Sequence, residues 1–248
     1  MKKVLLISLT PCYPLYSGGA LAQYYFIDGL KNEVEFVYCT EVHNEKELQN
    51  LNLLQEKQPA LKIYSICSYK HSPKKKIKSI VIKLGKFLLG KKKTEFNNVD
   101  ADDFDDLYFQ HIDHHYSNEF ISLINDVIKK EHITQVQFDF YDTIDLCFAI
   151  PKDIRKIFIH HELRFRRLQL AFDKSNLSEE YKKYLIKKTE LFERACLQEM
   201  DYVVVFNQND ADLVYEDCKL ITVSPFAIPD ELIFKRQVSD NFTRLLFV

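Results

Sequence analysis

The chain has 248 residues, 46% of them hydrophobic, and a formal net charge of −2 at pH 7. This composition is typical of one large or two small globular domains, and the near-neutral charge disfavours the strongly basic class of nucleic-acid-binding domains. No apolar run approaches the roughly 18 residues needed to cross a membrane, and the six cysteines lie apart without a CxxC pair, which favours reduced thiols in a cytoplasmic protein.

Short apolar runs rich in Val, Ile, Phe and Tyr recur along the chain, and the purest lack the polar alternation of half-exposed strands. Such runs are typical of strands buried on both faces of a parallel sheet. Amphipathic stretches separate them, and two of these begin at serine N-cap candidates, Ser117 and Ser178. We therefore expect an α/β fold, a Rossmann-like parallel sheet with helices on both faces. The predicted strands cover residues 4–9, 34–39, 61–67, 133–140, 155–161, 202–207 and 220–226.

Two of the five glycines, Gly18 and Gly19, stand together between the first predicted strand and the first predicted helix. Loops at this edge of an open α/β sheet bind ligands, and glycine lets the backbone approach them closely. With Ser17 before it, the glycine pair predicts a loop that binds phosphate at the N-terminus of the following helix. The alternative is a tight turn that only packs the helix on the sheet. The absence of GxGxxG and GK[ST] disfavours a nicotinamide dehydrogenase and a P-loop ATPase.

The segment 69–93 is strongly basic, with ten lysines and no acidic residue, and residues 94–109 hold six acidic residues and no lysine or arginine. The apolar residues of segment 69–93 follow helical spacing and would form one face of a helix. Three lysines lie off that face, Lys78, Lys83 and Lys86. One interpretation is a helix packed on the domain with solvated lysines. The other is an interfacial helix attracted to anionic lipid, although the acidic stretch could cover the lysines.

Ionisable side chains follow two of the predicted strands, 155–161 and 133–140. Imidazole exchanges protons near neutral pH, and guanidinium groups clamp phosphate or carboxylate. For the residues after strand 155–161, the alternative is the start of a surface helix in which the glutamate pairs with the arginines. After strand 155–161, which ends in His160 and His161, the chain continues with Glu162, Arg164, Arg166 and Arg167.

Three aspartates, Asp139, Asp142 and Asp145, lie at or after the end of strand 133–140 and are candidates for paired carboxylates. Because Thr143 stands among them, we favour a strand end that caps a helix. The cluster HIDHH at 111–115 meets helical ligand spacing only in part, so we predict no metal site.

Three segments carry a family resemblance: "PYPLYSGG" after the first strand, "IHHE" after a central strand, and "DYVVVFN" before "ITVSPFAIP". In this order they resemble the N-terminal half of a GT-B glycosyltransferase, of the large retaining group (family 4) that uses nucleotide-sugar donors. The final "FTRLLFV" resembles the first strand of that family's C-terminal domain. The resemblance covers nearly the whole chain and is weakest across residues 68–115.

The resemblance assigns roles to several residues. Residues 1–239 would form the acceptor-side domain, and residues 240–248 would begin the donor-binding domain. The first-loop residues would lie in the cleft near the donor phosphates and the acceptor. One of the two histidines would be catalytic and, with the following glutamate, would face the acceptor. The residues so assigned are Gly18, Gly19, His160 or His161, and Glu162. Ser17 is a further candidate for the first loop, and Arg164 and Arg167 are further candidates for the acceptor side.

The implied reaction is transfer of a hexosyl-type sugar from a nucleotide-sugar to a saccharide or lipid-linked acceptor, in polysaccharide or cell-envelope glycan synthesis. The resemblance implies retained configuration, no required metal or other cofactor, and a cytoplasmic enzyme that can contact the inner face of the plasma membrane. The family's donor-binding residues belong to its C-terminal domain, so the 248 residues alone are expected to be inactive. The alternatives are a UDP-sugar 2-epimerase-like GT-B enzyme and a non-enzymatic α/β domain that binds a membrane or a protein partner.

Replacing Lys78, Lys83 and Lys86 together by glutamate tests the membrane alternative. If the segment is an interfacial helix, the triple variant should float far less with anionic liposomes, because each lysine near an anionic surface contributes about 1 kcal/mol. Neutral liposomes are the control. Equal flotation of parent and variant on anionic liposomes would remove the main reason for this alternative.

Overall fold

Seven parallel strands form the central sheet of the computed structural model, which describes residues 2–68, 116–172, 175 and 177–225. The strand order is β3-β2-β1-β4-β5-β6-β7. Every predicted strand is confirmed, with small shifts at the ends. The strands are β1 (Lys2–Ile7), β2 (Val34–Val42), β3 (Lys62–Cys67), β4 (Gln135–Asp139), β5 (Arg155–His160), β6 (Tyr202–Val205) and β7 (Ile221–Val223).

Six α-helices connect these strands within the described residues. Both predicted serine N-caps are confirmed: Ser117 Oγ accepts from the Phe120 N–H at 3.1 Å, and Ser178 Oγ from the Tyr181 N–H at 3.2 Å. A 3-10 helix, Tyr141–Ala149, follows β4, and a second one, Tyr215–Asp217, precedes β7. The α-helices are α1 (Gly18–Leu30), α2 (Glu45–Lys57), α3 (Asn118–Lys130), α4 (Arg164–Phe172), α5 (Glu179–Glu199) and α6 (Gln208–Val214).

The sheet separates two apolar cores because side chains alternate between its faces. On β1, Leu5 and Ile7 belong to one core and Val4 and Leu6 to the other. The first core includes residues of α3, α4 and α5, and the second includes residues of α1 and α2. The expected arrangement with helices on both faces is therefore confirmed.

The strand order places a crevice between β1 and β4. The chain runs outward from β1 to β3 on one side, and then from β4 to β7 on the other. The connections after β1 and β4 consequently diverge, which opens a space at the carboxyl ends of these two strands. Both the Gly18-Gly19 loop and the first predicted aspartate, Asp139, lie at this edge.

Several sequence-based predictions concern residues outside the described ones. They are the basic segment 69–93 with Lys78, Lys83 and Lys86, the cluster at 111–115, and the domain start at 240–248. Across the described ranges, no helix combines the length and the apolar character that crossing a bilayer requires.

Glu131, at the end of α3, forms hydrogen bonds with residues of two strands, β1 and β3. Its carboxylate accepts from the Tyr64 hydroxyl at 2.7 Å and from Lys62 Nζ and Lys3 Nζ at 2.9 and 3.0 Å. These hydrogen bonds, that from Tyr64 most of all, lower the pKa of Glu131 from 4.5 to about 2. The ionised carboxylate thus joins β1, β3 and α3.

Glu131→Gln should therefore change how stability depends on pH. A lowered pKa contributes stability above pH 4.5, and that contribution is lost as the pH falls through about 2. At pH 7 the variant should be less stable by about 1 kcal/mol, since the lysines are partly solvated. The difference should shrink between pH 4.5 and 2, as measured by urea unfolding. Glu56→Gln is the exposed control, and a difference that stays constant down to pH 2 would contradict the assignment.

Candidate active site at the carboxyl edge of the sheet

Two cavities meet at His161, which lines both of them. The inner cavity has a volume of about 120 Å³ and lies between α1 and the ends of β4, β5 and β6. The outer cavity, of about 300 Å³, lies at the start of α1. The inner cavity is lined by Ala22, Gln23, Tyr25, Phe26, Gln137, Asp139, Ile159, His161, Val204, Phe206, Ser224 and Pro225. The outer cavity is lined by Ser17, Gly19, Phe140, Asp142, His161, Glu162, Arg164 and Arg167.

A buried aspartate orients His161. Asp139 is the last residue of β4 and is 2% exposed, and its Oδ1 lies 2.8 Å from His161 Nε2. An ionised carboxylate can only accept hydrogen bonds, so in the neutral imidazole Nε2 carries the proton and Nδ1 has the lone pair. The His161 side chain is 13% exposed, which leaves it accessible from the cavities.

Gln23 of α1 fixes the other carboxylate oxygen. Its Nε2 donates to Asp139 Oδ2 at 2.8 Å. Its Oε1 faces the hydroxyls of Ser8 and Tyr38, at 3.2 and 3.3 Å, and both hydroxyls lie closer to the Thr10 carbonyl, at 2.8 and 2.9 Å. The Asp139 carboxylate, which can only accept, therefore determines which way the amide points. Asp139 is thereby satisfied on both oxygens, as a buried carboxylate must be.

Two phenylalanines hold the imidazole ring in place. The Phe140 ring stacks on His161 with centroids 4.0 Å apart and an interplanar angle of 19°, and Phe206 contacts it edge-on at 5.1 Å. Phe140 has a φ of 71°, which is unfavourable for a bulky residue and costs of the order of 1–3 kcal/mol. This backbone conformation occurs where β4 ends and turns the chain beside the site.

The stacked ring explains one glycine of the Gly-Gly pair. A Cβ built on Gly19 would lie 2.7 Å from Phe140 Cζ, whereas one built on Gly18 would meet nothing within 4 Å. Ser17 caps α1 by accepting from the Ala20 N–H at 3.1 Å, and no acidic residue occupies the first turn. Gly19 is therefore required by close packing against Phe140.

The two candidate histidines have different surroundings. His160 is 1% exposed, lines neither cavity, and contacts the opposite core: its Nε2 lies 2.9 Å from Glu193 of α5. Glu193 is itself fully buried and accepts from the N–H groups of Arg164 and Phe165 at the start of α4. The structure thus brings His161, and not His160, to the cavities.

The predicted acceptor-side residues lie around the outer cavity. Glu162 pairs with Arg167, and Arg164 lies 3.5 Å from Asp142 and 3.9 Å from Glu162. Arg164 is 9% exposed and stacks over the Tyr141 ring at 4.9 Å. These residues thus pair with each other and also line a cavity, and their role in binding stays a prediction.

The loop between β1 and α1 contains the buried thiol of Cys12. Its burial, and secondarily the negative charge of Asp139, raise the pKa of Cys12 to about 12. The thiol is protonated at neutral pH and is a poor nucleophile.

Sequence reasoning named Asp139 among three candidate carboxylates, but it found neither its contact with His161 nor the supporting residues Gln23 and Phe140. The interpretation of Asp139 as part of a helix cap is wrong: its carboxylate binds Gln23 and His161, and the following 3-10 helix has no side-chain cap. Thr143 instead donates back to the Asp139 and Phe140 carbonyls. An ionisable residue at the end of an otherwise uncharged strand was the available signal. Among the described residues, no three His, Cys, Asp or Glu side chains form a metal-binding group.

The fold and this edge define a class: the chain has the Rossmann-like architecture of one half of a GT-B fold. No protein-family profile and no curated protein sequence matches the chain. Solved structures of glycosyltransferases do match it, at sequence identities that indicate a shared fold alone.

Three of these solved structures show how far the similarity to this chain extends. Sucrose-phosphate synthase from Thermosynechococcus elongatus has a TM-score of 0.55 at 11% identity over 91% of this chain and 48% of its own. Apo UGT2 of Phytolacca americana has a TM-score of 0.50 at 7% identity, over 93% of this chain and 53% of its own. Medicago truncatula UGT71G1, complexed with UDP-glucose, has a TM-score of 0.50 at 10% identity, over 90% and 51%. The chain thus spans about half the length of these structures.

Gly19→Ala and Gly18→Ala form a matched pair that tests the packing of Phe140. Gly19→Ala should destabilise the protein by about 1–3 kcal/mol because the added methyl group collides with the ring. Gly18→Ala should be neutral or stabilising by up to about 1 kcal/mol. Urea unfolding measures both, and the imidazole NMR signals of His161 should shift only in the Gly19 variant. Equal effects of the two substitutions would show that Phe140 does not determine the glycine.

Proposed function

We propose that the chain is the acceptor-side half of a glycosyltransferase that moves a sugar from a nucleotide-sugar to a hydroxyl acceptor. The observation that carries this proposal is the Asp139–His161 pair, which lies at the crevice of a fold shared with sugar transferases. Open α/β sheets bind their ligands at this edge.

His161 has the geometry of a general base. With Nε2 donating to Asp139, Nδ1 is free to accept the proton of an acceptor hydroxyl. Asp139 would then stabilise the imidazolium that forms, and the stacked Phe140 ring would hold the imidazolium in the same orientation. Gln23 supports the same geometry because it holds the second oxygen of Asp139.

The outer cavity suits the phosphate side of the reaction. The N-terminus of α1 carries a partial positive charge with no acidic residue in its first turn to offset it. Ser17, Gly18 and Gly19 at this end, with Arg164 and Arg167 across the cavity, would stabilise charge on the leaving diphosphate. Asp142 and Glu162 offset part of the arginine charge, so further basic groups are expected from the donor-binding domain.

The family resemblance supplies the finer part of the proposal. We infer hexosyl transfer, without a required metal, to a saccharide or lipid-linked acceptor in polysaccharide or cell-envelope glycan synthesis. The resemblance also implies retained configuration, which requires the acceptor oxygen to attack from the face that the diphosphate leaves. Displacement from the opposite face by the hydroxyl that His161 deprotonates would invert the anomeric carbon, so the resemblance and the His161 geometry predict opposite configurations of the product. Closure of a second domain over the crevice would exclude water from the donor. The acceptor-side half alone would then be inactive. Peripheral membrane contact through residues 69–93 belongs to the same proposal.

His161→Ala, in a protein that carries both domains, tests the function. Transfer should fall by about 10²–10⁴-fold, the usual contribution of a positioned base, while the dissociation constant of the nucleotide-sugar stays within about 2-fold. Asp139→Asn should lower transfer as well, because the ring loses its charged partner. His160→Ala should lower the stability of the fold before it lowers transfer, since His160 is buried against Glu193.

The exposed His132 provides the control, as His132→Asn, because Asn tolerates its positive φ of 52°. Calorimetry measures donor binding, and NMR of the anomeric proton of the product decides between retention and inversion. Wild-type transfer by His161→Ala would refute the assigned base. Conversion of the nucleotide-sugar without any acceptor would favour the epimerase alternative.

A further inference from the structure

Helix α4 begins without a capping side chain of its own. Its first two residues are Arg164 and Phe165, and the residue before them, Leu163, is apolar. The first N–H groups of a helix have no partner within the helix, so they need an acceptor from elsewhere. Leu163 is 2% exposed and belongs to the first apolar core. Packing therefore occupies the position from which a serine or an aspartate would normally cap the helix.

Glu193 of α5 supplies the missing acceptor. Its Oε1 accepts from the Arg164 N–H at 3.0 Å, and its Oε2 accepts from the Phe165 N–H at 3.2 Å. The side chain is fully buried, and His160 Nε2 lies 2.9 Å from its Oε1. A carboxylate at a helix N-terminus is also favoured by the helix dipole. The two oxygens thus hold the start of α4 from a neighbouring helix.

The position of the Arg164 side chain depends on this anchor. Arg164 lines the outer cavity, and its acidic neighbours Asp142 and Glu162 lie 3.5 and 3.9 Å from its guanidinium, near the limit of an ion pair. The Tyr141 ring supports the guanidinium at 4.9 Å by a contact that leaves it free to slide. The hydrogen bond from the Arg164 N–H to Glu193 is shorter than either ion pair. The backbone anchor therefore determines from where the guanidinium reaches into the cavity.

We propose that Glu193 is a positioning residue that sets the place of the Arg164 guanidinium in the outer cavity. Glu193 lines neither cavity, so it acts through the backbone at the start of α4. This inference rests on the proposed function in one respect: if the outer cavity holds the leaving diphosphate, Glu193 supports sugar transfer through Arg164.

Glu193→Gln and Glu199→Gln form a matched pair of variants. Both glutamates lie on α5, and each is paired with a buried basic residue of β5, His160 for Glu193 and Lys156 for Glu199. Lys156 is four residues from His160, roughly 13 Å toward the amino end of the strand, so Glu199 lies away from the outer cavity. Glutamine keeps the size of glutamate, but its NH₂ group is a donor and cannot accept from a backbone N–H.

NMR of the 248-residue chain tests the anchor without a sugar donor. The Arg164 Nε–H signal reports the place of the guanidinium over the Tyr141 ring, because an aromatic ring shifts the signals of protons near its face. This signal should move in Glu193→Gln and stay in Glu199→Gln. Exchange of the Arg164 or the Phe165 amide hydrogen should become about 10–100-fold faster in Glu193→Gln, the value of one hydrogen bond to a charged group. An unchanged Arg164 signal would overturn the proposal.

Glu193→Asp is the second variant, for the case that Glu193→Gln does not fold. It keeps the carboxylate but is one methylene shorter, so it cannot reach both N–H groups. The Arg164 Nε–H signal should therefore move in Glu193→Asp as well, and an unchanged signal would again overturn the proposal.

Transfer by the two-domain protein tests the consequence for the reaction. Glu193→Gln should lower kcat by about 10–100-fold, because a displacement of about 1 Å costs up to about 10²-fold. The dissociation constant of the nucleotide-sugar should stay within about 2-fold. Glu193→Gln combined with Arg164→Met should transfer within about 2-fold of Arg164→Met alone, since residues that act through one another are not additive. Effects that multiply, or an equal loss in Glu199→Gln, would show a merely structural role.

The two measurements separate this inference from the proposed function. A displaced Arg164 signal in Glu193→Gln, with no sugar transfer by the parent to any acceptor, would refute the proposed function and leave the positioning of Arg164 standing. Transfer by Glu193→Gln at the rate of the parent, with the Arg164 signal unchanged, would refute the inference and leave the proposed function standing.

Discussion

The arrangement at the carboxyl edge depends on one buried carboxylate. Asp139 is almost fully removed from water, and a buried charge is tolerated only when both oxygens have hydrogen-bond partners. One partner, Gln23, comes from α1, and the other, His161, comes from the end of β5. The carboxylate therefore couples the first crossover helix to the central strands, and it defines the position and the protonated nitrogen of the imidazole.

The two cavities divide the surroundings of His161 by polarity. The outer cavity combines a helix N-terminus with two Asp/Glu–Arg pairs, and the inner cavity is lined mainly by apolar side chains. The crevice between β1 and β4 is the reason that both compartments exist, because the connections after these strands diverge.

Much of the fold was predictable from the sequence, because it depends on local patterns. Strands such as β1, buried on both faces, need continuous apolar runs, and the helix caps at Ser117 and Ser178 need one residue each. The site was less predictable. The Gln23–Asp139 bond joins residues 116 positions apart, and nothing in one sequence pairs them. The choice between His160 and His161 required the register of β5, since adjacent residues at a strand end lie on opposite faces.

The contact between Gly19 and Phe140 has an evolutionary consequence. The ring occupies the space that a side chain at position 19 would need, and the backbone at position 140 is already in an unfavourable conformation. Neither residue can change freely while the other is kept. In homologous chains, a larger residue at position 19 should accompany a smaller one at position 140, and chains that keep the glycine should keep a flat ring against the histidine. This pair would then covary as one unit, although 121 positions separate its members.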